Sequence, residues 1–213
     1  MSNSSNRKNK VFDYRALRLL MGIIALALPF VVSILSSSPL SSISASYYTE
    51  ARDMFVGMLF IVGSFLWAYN GNSKTEAIAS DVASIAAIGV AIFPTACKDC
   101  PGSPTATLHY LAAALLFVIL AYFCFIPFRQ DIKGKRGKKG LRSKIYLLCG
   151  TTMILCMAAM VIANAVLPGD VVESAKIIYW GEAIALGAFG IAWIVSGKAS
   201  RLIAEEDEVL HLF

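Results

Sequence analysis

Asp53, Asp81, His109 and Glu182 are ionisable residues set in or beside long apolar runs. A charge inside hydrocarbon costs roughly 2.5–3.5 kcal/mol on insertion scales, so residues of this kind are functional candidates. Asp53, His109 and Glu182 fall near the same side of the apolar layer, with Glu182 about one and a half helical turns in. Two carboxylates and a histidine can act as acid and base, or hold a metal. Tyr48 and Arg52 stand just outside them, and Asn164 occupies the matching depth of another run. The candidate ligand-binding set is therefore Asp53, His109, Glu182, Tyr48, Arg52 and Asn164. Asp81 lies apart, at the opposite half of its run, and is a proton-relay candidate.

Each residue also has a plainer reading. Asp53 favourably opens a helix at its positive end. His109 and the tyrosines suit the interfacial belt of a membrane protein. Glu182, flanked by Gly181, Ala183, Ile184 and Leu186, is the one expected inside the bundle. At helical spacing it shares a face with Leu186, Phe189 and Trp193, and Asp53 shares one with Gly57, Ser64 and Trp67.

The elements that carry these residues follow from hydropathy. The chain of 213 residues is 57% hydrophobic and only 15% charged, with mean hydropathy +0.67. A soluble domain averages ~25% charged residues. A bilayer-spanning helix needs roughly 20 apolar residues. Six windows qualify: 16–35, 54–70, 77–94, 108–128, 145–167 and 177–197. Inside lipid every backbone polar group must be paired within the segment, so these runs are helices. They lack the alternation of barrel strands. The expected fold is an all-α polytopic membrane protein, a single domain of six transmembrane helices.

Breakers mark the joints: the Ser-rich stretch 36–46 with Pro39, Asn70-Gly71-Asn72, the prolines 94, 101 and 104, and Pro168-Gly169-Asp170. Pro29 falls inside the first helix and Pro127 ends the fourth, both sites where a kink is expected. Gly57, Gly63, Ala83, Ala87, Gly187 and Gly190 are small enough for close helix approach.

Lys and Arg orient the bundle. With both termini inside, the inner segments hold sixteen and the outer loops only Arg52, Lys98 and Lys176. This positive-inside bias gives N-in and C-in termini. The segment 129–144 reads as a basic cytoplasmic loop that anchors topology, with binding of anionic headgroups as the alternative. Residues 198–213 read as an acidic cytoplasmic tail. The net charge of +5 does not point to nucleic acid, because the cations sit beside apolar segments. Expected partners are membrane lipids and a small-molecule or lipid ligand, with homo- or hetero-oligomers left open. The expected location is the plasma membrane, the inner membrane of a bacterium.

Cys97-Lys98-Asp99-Cys100 falls in an outer loop, where two cysteines are expected to form a disulfide. A redox or metal pair is the alternative. Cys124, Cys149 and Cys156 lie in spans and read as small apolar residues. No nucleotide-binding or hydrolase motif occurs, and two histidines exclude a three-histidine metal centre. No metal and no cofactor is expected.

The stretch Ser42 to Gly57, SISASYYTEARDMFVG, resembles a segment of uncharacterised six-helix bacterial membrane proteins. Their plan is similar to that of the DRAM-like family, with a short outer loop leading into the second helix. The resemblance implies six spans and no particular activity. Alkaline-ceramidase-like hydrolases differ: they have seven helices and a histidine pair in the last, where this chain has Glu182.

The expected function is binding of a lipid, small ligand or partner helix through an outer-leaflet polar pocket. A small proton-coupled transporter using Asp81 and Glu182, and an intramembrane lipid hydrolase, are the alternatives, and enzymatic activity is left open.

Overall fold

The computed structural model describes residues 14–97, 103–198, 203 and 205. Among these residues seven α-helices form: α1 (Tyr14–Leu35), α2 (Arg52–Trp67), α3 (Lys74–Ile92), α4 (Pro104–Phe125), α5 (Gly137–Val166), α6 (Gly169–Ser174) and α7 (Ile177–Gly197). Single 3-10 turns cover Ser44–Tyr48 and Pro127–Arg129. All of them except α2 and α6 are long and apolar enough to cross a membrane. The chain is an all-α polytopic membrane protein.

Many large apolar side chains point outward. Ile34 is 81% exposed, Val166 73% and Phe30 70%. Exposed apolar surface of this kind marks contact with a membrane or with another protein, and the length and composition of the helices favour the membrane. The polar backbone is meanwhile satisfied within each helix.

The helices close into a ring. α1 packs on α2, α2 on α3, α3 on α4, α4 on α5, α5 on α7, and α7 returns to α1. The α1–α7 seam is antiparallel: Gly22 lies against Gly190, and Gly197 against Arg15 and Leu19. A Cβ on Gly190 would stand 2.8 Å from the Gly22 carbonyl oxygen, so the two backbones touch only because both residues lack side chains. The α2–α3 pair is stitched by hydroxyls. Ser80 donates to the Leu66 carbonyl at 2.6 Å and Ser84 to the Gly63 carbonyl at 2.7 Å. Gly57 and Gly187, by contrast, meet nothing within 4 Å, so they are not packing contacts.

Three boundaries differ from the hydropathy reading. α2 has 16 residues, about 24 Å of helix, and falls short of a full bilayer core. It is a shorter member of the ring, preceded by the 3-10 turn. α5 begins at Gly137, so half of the expected basic loop is helix. Hydropathy fails there because the first turns of α5 carry Lys138, Lys139, Arg142 and Lys144. The turn expected at Pro168-Gly169-Asp170 starts the short α6, which Lys176, in a left-handed conformation at φ 51°, separates from α7. Pro29 leaves α1 continuous from Tyr14 to Leu35.

Local signals account for the ends that hold the site. Ser73 caps α3 by accepting from the Glu76 N–H at 3.2 Å, and Glu76 reaches back to the Asn72 N–H at 3.0 Å, a reciprocal cap. Gly71 precedes it at φ +62° with Glu76 folded over it, where a Cβ would lie 2.5 Å from the Glu76 Cβ. Ser103 caps α4 ahead of Pro104.

Candidate functional site

Antiparallel packing gives the ring two ends. Arg15, Arg18, Ser196 and Gly197 share one; Ser33, Tyr179 and Glu182 lie toward the other.

At the Glu182 end, the segment from Ser36 to Ala51 crosses the ring as a strap. Ser36 and Thr49 pair at 3.0 Å, and Ser37 donates to Glu50 through its hydroxyl at 2.8 Å and its N–H at 3.3 Å. These contacts, together with the backbone N–H of Glu50 itself, hold the Glu50 carboxyl below its ordinary 4.5, its own N–H contributing most. Glu182 reaches this strap from α7. Its carboxylate accepts from the N–H groups of Ile43 and Ser44 and from the Ser44 hydroxyl at 2.9 Å. It thus caps the 3-10 turn, where backbone donors would otherwise be buried without partners. Beneath it lies an apolar cavity of about 60 Å³, bounded by Leu186 and Phe189 on the same face of α7.

The expected six-residue set does not assemble. His109 is fully buried, and its Nδ1 donates to the Phe93 carbonyl at 2.7 Å instead of meeting a carboxylate. Asp53 and Asn164 are exposed. Arg52 donates to the Tyr47 hydroxyl at 2.8 Å and lies over the Tyr47 ring. Tyr48 donates to the Thr95 carbonyl at 2.6 Å. The donors to Glu182 are backbone groups and one serine of the strap, none of them the histidine, arginine, tyrosine or asparagine expected. A side-chain inventory has no means of finding backbone donors. Asp81 is half-buried in α3, apart from this end. Cys97 is described, Cys100 is not, and so their pairing lies outside the described residues. The same holds for most of the acidic tail.

The opposite end holds a more elaborate arrangement. A cavity of about 160 Å³ opens among α1, the α2–α3 connection, the 3-10 turn after α4, α5 and α7. Arg18 of α1 enters from one side. It donates to the Ser196 hydroxyl at 3.0 Å and to the Tyr69 hydroxyl, and its guanidinium lies 4.9 Å from the Tyr69 ring centre and 5.5 Å from that of Phe128. Its Nε is buried without a hydrogen-bond partner. Arg142, only 1% exposed, enters from α5. Tyr146 lines the cavity one turn further along that helix. Glu76, also buried, is a hydrogen-bond partner of Tyr69 and lines the same space. Asp131 and Lys198 complete the rim.

The floor is aromatic. Trp193 is fully buried and packs against Tyr69, Phe123, Phe128 and Phe189 with ring centres 5.3–5.7 Å apart. This plug separates the polar chamber from the apolar one near Glu182.

Burying a guanidinium is costly unless it is hydrogen-bonded and partnered. Two of them converge here from helices on either side of α7, beside two phenols and a serine hydroxyl, and paired guanidiniums suit an oxyanion. The cations of this site read in the sequence as topology anchors. One signal was available: Arg142, Tyr146, Cys149 and Met153 are spaced as one helical stripe, and that stripe is the buried face of α5. Among the described residues no group of three or more His, Cys, Asp or Glu side chains could hold a metal ion.

Compared with protein-family models, curated proteins and solved structures, the chain matches none.

Proposed function

We propose that this protein is a membrane-embedded binding protein that holds a small anionic ligand in the polar chamber at the Arg18 end. The observation that carries the reading is the convergence of Arg18 and Arg142 on one cavity of about 160 Å³, with the hydroxyls of Tyr69, Tyr146 and Ser196 around them. A cavity of ~150 Å³ admits a molecule of benzene's size, so the chamber suits a ligand of five or six heavy atoms with its water. The strap end supplies less. The Glu182 carboxylate there is engaged by its own chain, and the space beneath it is small and apolar.

The chamber is taken to face the cytoplasm of a cell whose plasma membrane holds the protein. Support comes from the clustering of Lys and Arg at that end and from the positive-inside rule. On this orientation both termini are cytoplasmic, the strap is external, and the Cys97–Cys100 loop faces an oxidising space, which favours a disulfide.

Thermal unfolding of the purified protein in neutral detergent tests the reading. A ligand at about 100 times its dissociation constant stabilises the folded state by ~2.7 kcal/mol. Phosphate and sulfate are compared with chloride at equal ionic strength. At least one polyvalent anion is expected to raise the midpoint, and Arg142→Gln to abolish the rise. No shift with any of them would overturn the proposal.

A further inference from the structure

The chamber is not lined by cations alone. Glu76 and Asp131 share it with Arg18, Arg142 and Lys198. A carboxylate beside a binding site for a fully ionised anion is repulsive, and the same carboxylate beside an anion that still carries a proton is a hydrogen-bond acceptor. Sulfate and phosphodiesters have no proton to offer near neutral pH. Inorganic phosphate and phosphomonoesters have one over much of the physiological range, since their second dissociation lies near pH 6 to 7.

The two carboxylates differ in how they are occupied. Glu76 accepts from the Asn72 N–H, faces Ser73 at 3.5 Å, and has Tyr69 as a further partner, so it is committed to the start of α3. Asp131 sits on the exposed rim, in the connection between α4 and α5. The donors come from several walls: Arg18 from α1, Arg142 from α5 and Ser196 from α7. A planar carboxylate ligand is met by one guanidinium fork. Donors spread over three helices suit a tetrahedral group whose oxygens diverge.

We propose that the ligand of this chamber carries a protonated phosphate, either inorganic phosphate or a phosphomonoester. The guanidiniums of Arg18 and Arg142 take its ionised oxygens and Asp131 accepts its P–O–H proton. The inference rests on the anion-binding reading above and narrows it. Both charge signs in one small chamber then have a purpose: the cations supply attraction, and the acid at the rim rejects anions that cannot donate.

Titration calorimetry with full-length protein in neutral detergent, at pH 6.5 and fixed ionic strength, gives the test. Inorganic phosphate is expected to bind at least about tenfold more tightly than sulfate. Asp131→Asn, at an exposed position where the fold tolerates change, is expected to reduce that preference to near unity, chiefly by strengthening sulfate. Nanodiscs separate the sources. Phosphatidic acid, a lipid phosphomonoester, is compared with phosphatidylglycerol, a phosphodiester, each as the sole anionic lipid. Phosphate binding from solution identifies a soluble ligand. Binding of phosphatidic acid without phosphatidylglycerol identifies a lipid one, and either supports the proposal. Sulfate binding as tightly as phosphate, equal response to both lipids, or a preference that survives Asp131→Asn would overturn it and leave the anion site standing. Absence of binding by every anion and both lipids would remove the anion site as well.

Discussion

Replacing Glu182 by leucine isolates what the carboxylate does for the strap. In the native chain three donors end on it: the N–H groups of Ile43 and Ser44 and the Ser44 hydroxyl. Ile43 and Ser44 are both buried, so water does not replace a lost partner while the strap stays closed. A buried donor left unpaired costs about 1–3 kcal/mol. Three of them put the cost of Glu182→Leu at about 3 kcal/mol or more, even if the serine hydroxyl turns elsewhere. Glutamine keeps an acceptor for the two amides and offers its NH₂ to the serine oxygen, so Glu182→Gln costs about 1 kcal/mol. The strap can open without unfolding the ring, and the loss appears locally. Hydrogen exchange of the peptide containing residues 42–48, in detergent under conditions where opening is at equilibrium, reads it directly. A loss of about 3 kcal/mol is more than a hundredfold in the opening constant, and about 1 kcal/mol roughly fivefold. Peptides from α2 and α3 serve as controls and are expected to change little. Exchange of the strap at the wild-type rate in Glu182→Leu would refute the reasoning, as would equal effects of leucine and glutamine.

Other expectations follow from single contacts. Gly190→Ala places a methyl 2.7 Å from the Leu26 Cγ and 2.8 Å from the Gly22 carbonyl oxygen, and is expected to cost about 1–3 kcal/mol in detergent unfolding, whereas Gly187→Ala three residues earlier meets nothing and is expected to be neutral. The Glu50 carboxyl is held below 4.5, so its hydrogen bonds, first with its own N–H and then with Ser37, contribute fully above that pH and are lost as pH falls through the depressed value. Carbon NMR of the labelled glutamates is expected to find one resonance titrating low that returns toward 4.5 in Ser37→Ala. In intact cells a membrane-impermeant maleimide is expected to label Cys97 and Cys100 only after reduction. Labelling without reductant would remove the disulfide, and labelling only after lysis would reverse the topology.

The apolar runs and their breakers sufficed for the class of fold, because hydrocarbon imposes one backbone solution and composition alone reports the solvent. Glu182 also stood out, as a carboxylate on a face with Leu186 and Phe189, and that face does point into the bundle. Its partners did not, because two of them are main-chain N–H groups, which every residue has and no sequence distinguishes. Of the Arg18 chamber only the helical stripe through Arg142 and Tyr146 left a mark in the sequence, for a related reason. Arg18 and Arg142 are 124 positions apart, and in a linear chain each is one more cation near a membrane surface. Only the closing of α1 and α5 around α7 turns two topology charges into facing walls of one cavity. Hydropathy and charge act residue by residue and survive in the linear text. A site depends on which helix faces become neighbours, and that is decided by close contacts such as Gly22 on Gly190, which exist only once the chain has folded.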